Sequence, residues 1–507
     1  MAPDDPSCED KDMRIGDLMA QSKVQFGTSG ARGLAADMTD RVCYAYTLGF
    51  LGYCWQLGVL APTGPVALAG DYRPSTGRIL RACAQAARDL GHQPLYLGRI
   101  PSPAVAAFGL ARGMPSLMVT GSHIPDDRNG IKFNLPSGEI LKADEEGIRA
   151  QVVAIPSDRF TAEGALKPEL ADSLPAEDPA GYQTYVHRYL DFFPSGCLEG
   201  LRIGLYEHSS VARAALHQVL SGLGAQVIAF GRSETFIPVD TEAIRPEDIA
   251  LGRAWSAGGS FHALVSSDGD GDRPLVADER GEWLRGDITG ILCARYLGAD
   301  GVATPVSCNT ALEKSGWFPN IRRTRIGSPY VIAGMADLKA AGASTVVGYE
   351  ANGGFLTATD IHRDGRCLPA LPTRDAILVP IALLLAAREQ GLSLSALAAS
   401  LPPRFTASDR LKDFPTALSQ ERLSTLSSGD SVRDLAAARA LFGILLGPVA
   451  AIDTTDGVRL TFASGEIAHL RPSGNAPELR VYTEADSLVR AWETNRQCLE
   501  FLAKWRK

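Results

Sequence analysis

Short, mostly apolar blocks alternate with longer stretches of helical periodicity along most of this chain. Between Gly64 and Thr120 the blocks Val66–Ala69 and Leu117–Thr120 predict strands, with helices over Thr76–Leu90 and Pro103–Arg112. Near-continuous apolar strands separated by helices are the mark of βα units around a mostly parallel sheet. The alternation returns after Gly200, with strands at Arg202–Tyr206, Gln226–Phe230 and His262–Ser266 and a helix over Ser210–Leu223. It returns again from Gly301, with strands at Val302–Val306 and Ser344–Gly348, a helix over Tyr330–Ala341 and an apolar helix over Arg374–Arg388. No repeat of fixed period underlies the recurrence.

Punctuation between these blocks gives the domain plan. The Pro- and acid-rich stretch Pro156–Gly181 marks a first boundary, and the Pro-containing stretch Leu401–Phe405 reads as a linker. Beyond it the composition changes to Arg/Ser-rich helix and short strands such as Val458–Phe462 and Leu479–Tyr482. The expected fold is therefore α/β, with three mixed or parallel α/β domains over 1–175, 176–285 and 286–400, and a smaller α+β domain over 405–507.

Composition removes several function classes. With 45% apolar and 21% charged residues the 507-residue chain can bury large cores, which excludes a disordered protein and a single small binding module. The balance of 50 Lys+Arg against 58 Asp+Glu gives a formal net charge of −8 and no global basic field, so neither nucleic acid nor a membrane is expected as a partner. The apolar run Ala376–Ala387 is too short for a membrane span of about 20 residues and reads as a buried helix. The acidic, polar N-terminus lacks the basic and apolar regions of a secretory signal, so the expected location is cytoplasmic. Nine scattered cysteines without CxxC spacing read as reduced structural thiols.

The chemistry is concentrated where strands end. Leu117–Thr120 runs into Gly121-Ser122-His123-Ile124-Pro125, Leu264–Ser266 into Ser267-Asp268-Gly269-Asp270-Gly271-Asp272-Arg273, and Val346–Gly348 into Tyr349-Glu350-Ala351-Asn352-Gly353-Gly354. In open α/β sheets ligands bind beyond the carboxyl ends of strands. Asp268, Asp270 and Asp272 alternate with glycines, which lets three hard oxygen ligands converge on Mg²⁺ or Ca²⁺. The competing readings are a solvated acidic turn without metal and an EF-hand loop with Glu279 as its last ligand, though Arg273 stands where the EF-hand needs Gly and both flanks read as strands. Ser122 sits in a tight turn suited to an exposed nucleophile, with His123 and Lys132 as nearby polar candidates. The loop Arg471-Pro472-Ser473-Gly474-Asn475 combines a guanidinium, a hydroxyl, an amide and backbone N–H groups in the manner of a phosphate nest, and Phe26–Gly33 has similar chemistry around Arg32.

In this order the segments FGTSGARG (26–33), TGSHIP (120–125), DGDGDR (268–273), YEANGG (349–354) and RPSGNAP (471–477) resemble the α-D-phosphohexomutase family, over essentially the whole chain and most closely its bacterial phosphomannomutase branch. The resemblance implies a four-domain enzyme with one motif loop per domain. It implies that Ser122 carries the phosphoryl group and that Asp268, Asp270 and Asp272 bind Mg²⁺ together with the serine phosphate. Arg32, His123, Lys132 and Arg273 would surround the transferring group. Glu350 and Asn352 would recognise sugar hydroxyls, and Arg471, Ser473, Gly474 and Asn475 would hold the distal phosphate. The implied reaction interconverts mannose 6-phosphate and mannose 1-phosphate through a hexose 1,6-bisphosphate, in a monomer or dimer. Phosphoglucomutase and phosphoglucosamine mutase activities are the alternatives, and a non-catalytic phosphosugar-binding relative is the remote one. Ile124, Asn352, Gly354, Asn475 and Ala476 depart from the family's usual residues, and no general acid or base is assigned in the third domain.

Overall fold

The computed structural model describes residues 12–27, 30–171, 174–473 and 477–506. They divide into two compact units, one comprising the chain up to Leu297 together with Asn352–Ser395, the other Gly298–Ala351 together with the chain from Ala396 onward.

The first unit contains two sheets that carry chemistry. In one, the parallel strands Pro65–Gly70, Gln93–Tyr96 and Ser116–Val119 continue into the antiparallel strand Arg128–Leu135, which pairs with Gly30–Leu34. The helix Thr76–Asp89 buries an Ala-rich face with Ile79 and Leu80, and Asp40–Gln56 packs beside it. Burial of both strand faces explains why Val66–Ala69 and Leu117–Val119 are apolar without alternation. In the other sheet Gln226–Phe230, Arg202–Tyr206 and Ala263–Ser267 are parallel, with Pro274–Ala277 antiparallel at the edge. The strands Arg202–Tyr206 and Gln226–Phe230 have the boundaries that the apolar pattern predicts.

The second unit holds the parallel strands Asn320–Thr324, Gly301–Pro305 and Val346–Tyr349. It also holds a five-stranded antiparallel sheet in the order Phe405–Leu411, Leu479–Ala485, Ile467–Pro472, Val458–Phe462, Val449–Asp453. The helix Leu488–Ala503 covers this sheet, and Ser487 caps it by accepting from the N–H of Arg490. Three parallel or mixed α/β sheets followed by an antiparallel α+β sheet match the expected fold class.

Two expected helices start later than their periodicity predicts, and the one read from Ser210 begins at Arg213. The helix read as Arg374–Arg388 spans Leu378–Gln390, in the first unit. The residues before it are committed to buried polar contacts: Asp375 accepts from Tyr185 Oη (2.9 Å) and Tyr189 Oη (2.5 Å), and Arg374 pairs with Asp272. Pro380 then falls in the first turn, where its missing N–H costs nothing. The apolar run Ala376–Ala387 is buried throughout, and among the described residues no helix is long and apolar enough to cross a membrane.

Candidate active site

The turn after Ser116–Val119 places Ser122 in the left-handed region, at φ +55°. For a residue with a Cβ this conformation costs about 1–2 kcal/mol and persists only where the surroundings over-determine it. Here they do. The Ser122 N–H donates to Thr120 Oγ1 (2.8 Å), Thr120 Oγ1 donates to Asp71 Oδ2 (2.8 Å), and the Ser122 carbonyl accepts from Arg73 Nη2 (2.8 Å).

Arg73 organises the whole turn. Its Nη1 donates to the carbonyls of Pro125 and Arg128, its Nη2 to those of Ser122 and Ile124, and its Nε to Asp71 Oδ2. All five N–H donors of a fully buried guanidinium are thereby satisfied. The Phe236 ring covers its face at 4.0 Å. This clamp fixes the backbone direction from Ser122 to Arg128 and so the place of the Ser122 hydroxyl.

Ser122 as a whole is 1% exposed, and its hydroxyl donates to Asp268 Oδ2 at 2.5 Å. Gly269 makes the approach possible, since a Cβ there would lie 2.8 Å from the Ser122 carbonyl oxygen. Asp268, Asp270 and Asp272 are all buried, with a ligand atom from each within 4.8 Å of the others. Lys132 Nζ donates to Asp270 Oδ2 and Asp272 Oδ2, both at 2.6 Å. Ser102 Oγ donates to Asp270 Oδ2 (2.6 Å), and Arg374 Nη2 lies 3.0 Å from Asp272 Oδ2.

Three carboxylates in one desolvated cluster cannot share the charge equally. Burial, reinforced by Asp270 and Asp272, raises Asp268 well above the usual carboxylate range. Burial opposes ionisation of Asp270 too, but the Lys132 charge outweighs it and holds Asp270 below that range. Asp272 is likewise held low, with Arg374 the leading charge that offsets burial. Asp270 Oδ1 and Asp272 Oδ1 are buried and have no hydrogen-bond partner among the described residues. Orphaned hard oxygens beside Ser122 fit a divalent metal ion. The EF-hand reading fails, because Glu279 accepts from Ser395 N and Oγ and the cluster is flanked by the strands Ala263–Ser267 and Pro274–Ala277.

Two further candidates line the same cluster. Arg273 Nη1 lies 2.9 Å from His123 Nδ1, which makes that ring nitrogen the acceptor, and Arg273 Nε lies 3.7 Å from Asp272 Oδ1. Burial and the Arg273 charge hold His123 neutral, far below its usual pKa. Arg32, on the strand paired with the one carrying Lys132, is pushed down to about 10 by burial and by Arg273, and so stays charged at neutral pH.

The structure thus gathers Ser122, His123, Lys132, Arg32, Arg273 and the three aspartates within the first unit. Asn352 belongs to that unit as well: its carbonyl accepts from Thr241 Oγ1 (2.6 Å) and its Oδ1 from the N–H of Gly354 (2.9 Å). Glu350, Arg471 and Ser473 belong to the second unit. Glu350 is buried, Arg471 Nε donates to Asp456 Oδ2 (3.0 Å), and the Ser473 N–H donates to the Glu478 carbonyl (2.8 Å). Gly474 and Asn475 lie outside the described residues. Sequence reasoning missed Asp71, Arg73, Ser102 and Arg374. For Asp71, Arg73 and Arg374 the available signal was charged residues next to loop-like positions, Asp71-Tyr-Arg73-Pro and Thr373-Arg374-Asp375, beside otherwise apolar blocks.

Comparison with known proteins gives this arrangement its class. Family models for phosphoglucomutase/phosphomannomutase match the chain at residues 23–159 (alpha/beta/alpha domain I), 285–405 (alpha/beta/alpha domain III) and 424–497 (C-terminal domain). The chain belongs to the phosphoglucomutase/phosphomannomutase family. It is 43% identical over 473 residues to a phosphomannomutase of Salmonella muenchen, covering 93% of this chain and 94% of the relative. It is 44% identical over 462 residues to a phosphomannomutase of Sinorhizobium fredii, covering 91% and 95%. The solved structure of a phosphoglucomutase/phosphomannomutase family protein from Burkholderia thailandensis shares the fold, at 18% identity and TM-score 0.70 over 94% of this chain and 97% of that one.

Proposed function

We propose that the chain is a phosphomannomutase, an enzyme that interconverts mannose 6-phosphate and mannose 1-phosphate through a phosphorylated Ser122 and a hexose 1,6-bisphosphate. The observation that carries this reading is the 2.5 Å contact between Ser122 Oγ and Asp268 inside a buried three-carboxylate cluster. A phosphoryl carrier needs that combination of a fixed hydroxyl, a place for a divalent ion and surrounding cations. The choice of mannose is supported by 43% and 44% identity to phosphomannomutases, against 29% to the phosphoglucosamine mutase of Paracoccus denitrificans.

In the proposed cycle a free O1 or O6 hydroxyl of the bound sugar phosphate attacks the Ser122 phosphoryl group. The P–Oγ bond breaks as the new P–O bond forms, and the hydroxyl proton is returned, in net terms, to Ser122. The bisphosphate then turns over and gives its other phosphate back to Ser122, so neither ATP nor water is consumed. Asp268, Asp270, Asp272 and the serine phosphate are the groups that would hold Mg²⁺. When bound, the ion supplies positive charge against the oxygens that become more negative as the phosphoryl group moves. Lys132, with its charge anchored by Asp270 and Asp272, and Arg32 and Arg273 add fixed cations; His123, kept neutral, accepts from Arg273 and orients it. Glu350 and Asn352 recognise sugar hydroxyls, and Arg471, Ser473, Gly474 and Asn475 bind the phosphate that is not being transferred.

The same reading makes the protein a four-domain cytoplasmic enzyme, with boundaries as the sequence divides them, acting as a monomer or dimer on small phosphosugars without a nucleic-acid or membrane partner. The test is kcat/KM for mannose, glucose and glucosamine 1-phosphates in parallel, with Mg²⁺ and trace bisphosphate. Mannose ahead of or level with glucose is expected. Glucosamine ahead overturns the substrate assignment, and no turnover of any of the three overturns the activity.

A further inference from the structure

A second cluster of metal-ligating side chains lies in the first unit, on the hairpin formed by Ile361–Arg363 and Arg366–Leu368. Its two-residue turn, Asp364-Gly365, has φ +49° and +74°, the pair of positive values that sets a right-twisted hairpin with fixed register. The register pairs Ile361 with Leu368, His362 with Cys367 and Arg363 with Arg366. Side chains alternate faces along a strand, so the pairs divide by parity. Ile361 and Leu368 point inward, at 1% and 0% exposure. Arg363 anchors the hairpin from that same face, donating to the Tyr296 carbonyl (2.9 Å) and pairing with Glu389 (2.6 Å).

The opposite face carries His362 and, directly across from it, Cys367. Asp360, two residues before His362, shares that face. One ligand atom from each of Asp360, His362 and Cys367 lies within 4.8 Å of the others, and all three residues are exposed. Asp360 is already oriented, because its Oδ1 accepts from the Ala370 N–H at 2.7 Å. A ligand held by a backbone donor is how protein metal sites fix their carboxylates.

We propose that Asp360, His362 and Cys367 form a binding site for a divalent transition-metal ion of the Zn²⁺ class, separate in chemistry from the Asp268–Asp272 cluster. The donor set is one oxygen, one imidazole nitrogen and one sulfur. That mixture suits borderline-soft ions such as Zn²⁺ and Co²⁺ and is unsuited to Mg²⁺, which takes oxygen ligands in octahedral array. Binding forms a metal–sulfur bond and releases the Cys367 thiol proton to solvent. Three protein ligands leave a fourth tetrahedral position for water or an external ligand. The two sites divide ions by ligand hardness, all-oxygen against mixed donors.

The experiment is a Co²⁺ titration of the full-length protein in saturating Mg²⁺, read by the near-ultraviolet thiolate-to-cobalt absorption, with Zn²⁺ as competitor. Expected is a single equivalent of Co²⁺ with a thiolate band, displaced by Zn²⁺. The band should vanish in Cys367→Ser, and affinity should fall about tenfold or more in His362→Ala and in Asp360→Asn, which keeps an acceptor for the Ala370 N–H. Mg²⁺-dependent turnover should be unchanged in all three variants. A band that is absent from the parent, or undiminished in Cys367→Ser, overturns the proposal. So does Co²⁺ affinity indifferent to both His362→Ala and Asp360→Asn.

Discussion

Ser122 Oγ and Asp268 Oδ2, 146 residues apart in sequence, meet at 2.5 Å, and each comes from a loop that follows a different sheet. The contact joins the expected phosphoryl carrier to the expected metal ligands. Removing a charge from the three-carboxylate cluster should therefore disable transfer while sparing the fold. Asp270→Asn is expected to weaken Mg²⁺ binding and to lower kcat/KM by about 10²-fold or more, with an unchanged circular dichroism spectrum. Parent-like activity at limiting Mg²⁺ would remove the cluster from the mechanism.

Arg73 touches no reacting atom in this arrangement, yet it fixes the Ser122 turn through four carbonyls. Arg73→Met keeps much of the volume but leaves Asp71 and those carbonyls without their donor. Such a break of a buried pair costs about 3–5 kcal/mol. Urea unfolding should show a loss of that order, and kcat should fall with it. A loss under about 1 kcal/mol would mean that the turn holds itself.

Gly354 and Arg374 are coupled by space. A Cβ at Gly354 would lie 2.4 Å from Arg374 Cδ, so any side chain there must move the arginine that pairs with Asp272. Gly354→Ala is expected to reduce kcat/KM by about 10-fold to 100-fold, the scale for misplacing a site group by an ångström, with little effect on the melting temperature. An unaffected kcat/KM would show that Arg374 does not position Asp272.

Acid should destabilise the fold through buried imidazoles. Burial pushes His208 down to about 4 from the ordinary 6.5, and its ring nitrogen donates to the Ser267 carbonyl, one residue before the metal loop. The unfolded chain therefore binds this proton more readily than the folded one. The associated stability is present in full above pH 6.5 and is lost as the pH falls through about 4. It amounts to on the order of 3 kcal/mol. His208→Asn, which retains a donor and tolerates the positive φ of 29°, should lose less stability than the parent between pH 7 and pH 4.5. Equal acid sensitivity in both proteins would contradict the assignment.

Much of this was legible in the chain because strands here coincide with short apolar runs. Arg202–Tyr206, Gln226–Phe230 and Val458–Phe462 have the boundaries their apolar runs predict. The convergence of Asp268, Asp270 and Asp272 was legible because glycines between alternate carboxylates let the three side chains meet. Arg73 and Arg374 were not, because a single arginine beside a strand or helix gives no local sign of partners far along the chain. The late start of the helix at Leu378 has the same origin, since Arg374 and Asp375 satisfy tertiary bonds that periodicity does not record.

In the proposed cycle Ser122 carries the phosphoryl group. Intact-mass and phosphopeptide analysis after exposure to hexose 1,6-bisphosphate and Mg²⁺ tests it most directly. One added phosphate is expected, mapped to Ser122, with both the phosphate and the mutase activity lost in Ser122→Ala. Turnover by a protein that never carries phosphate on Ser122, or full activity in Ser122→Ala, would contradict it.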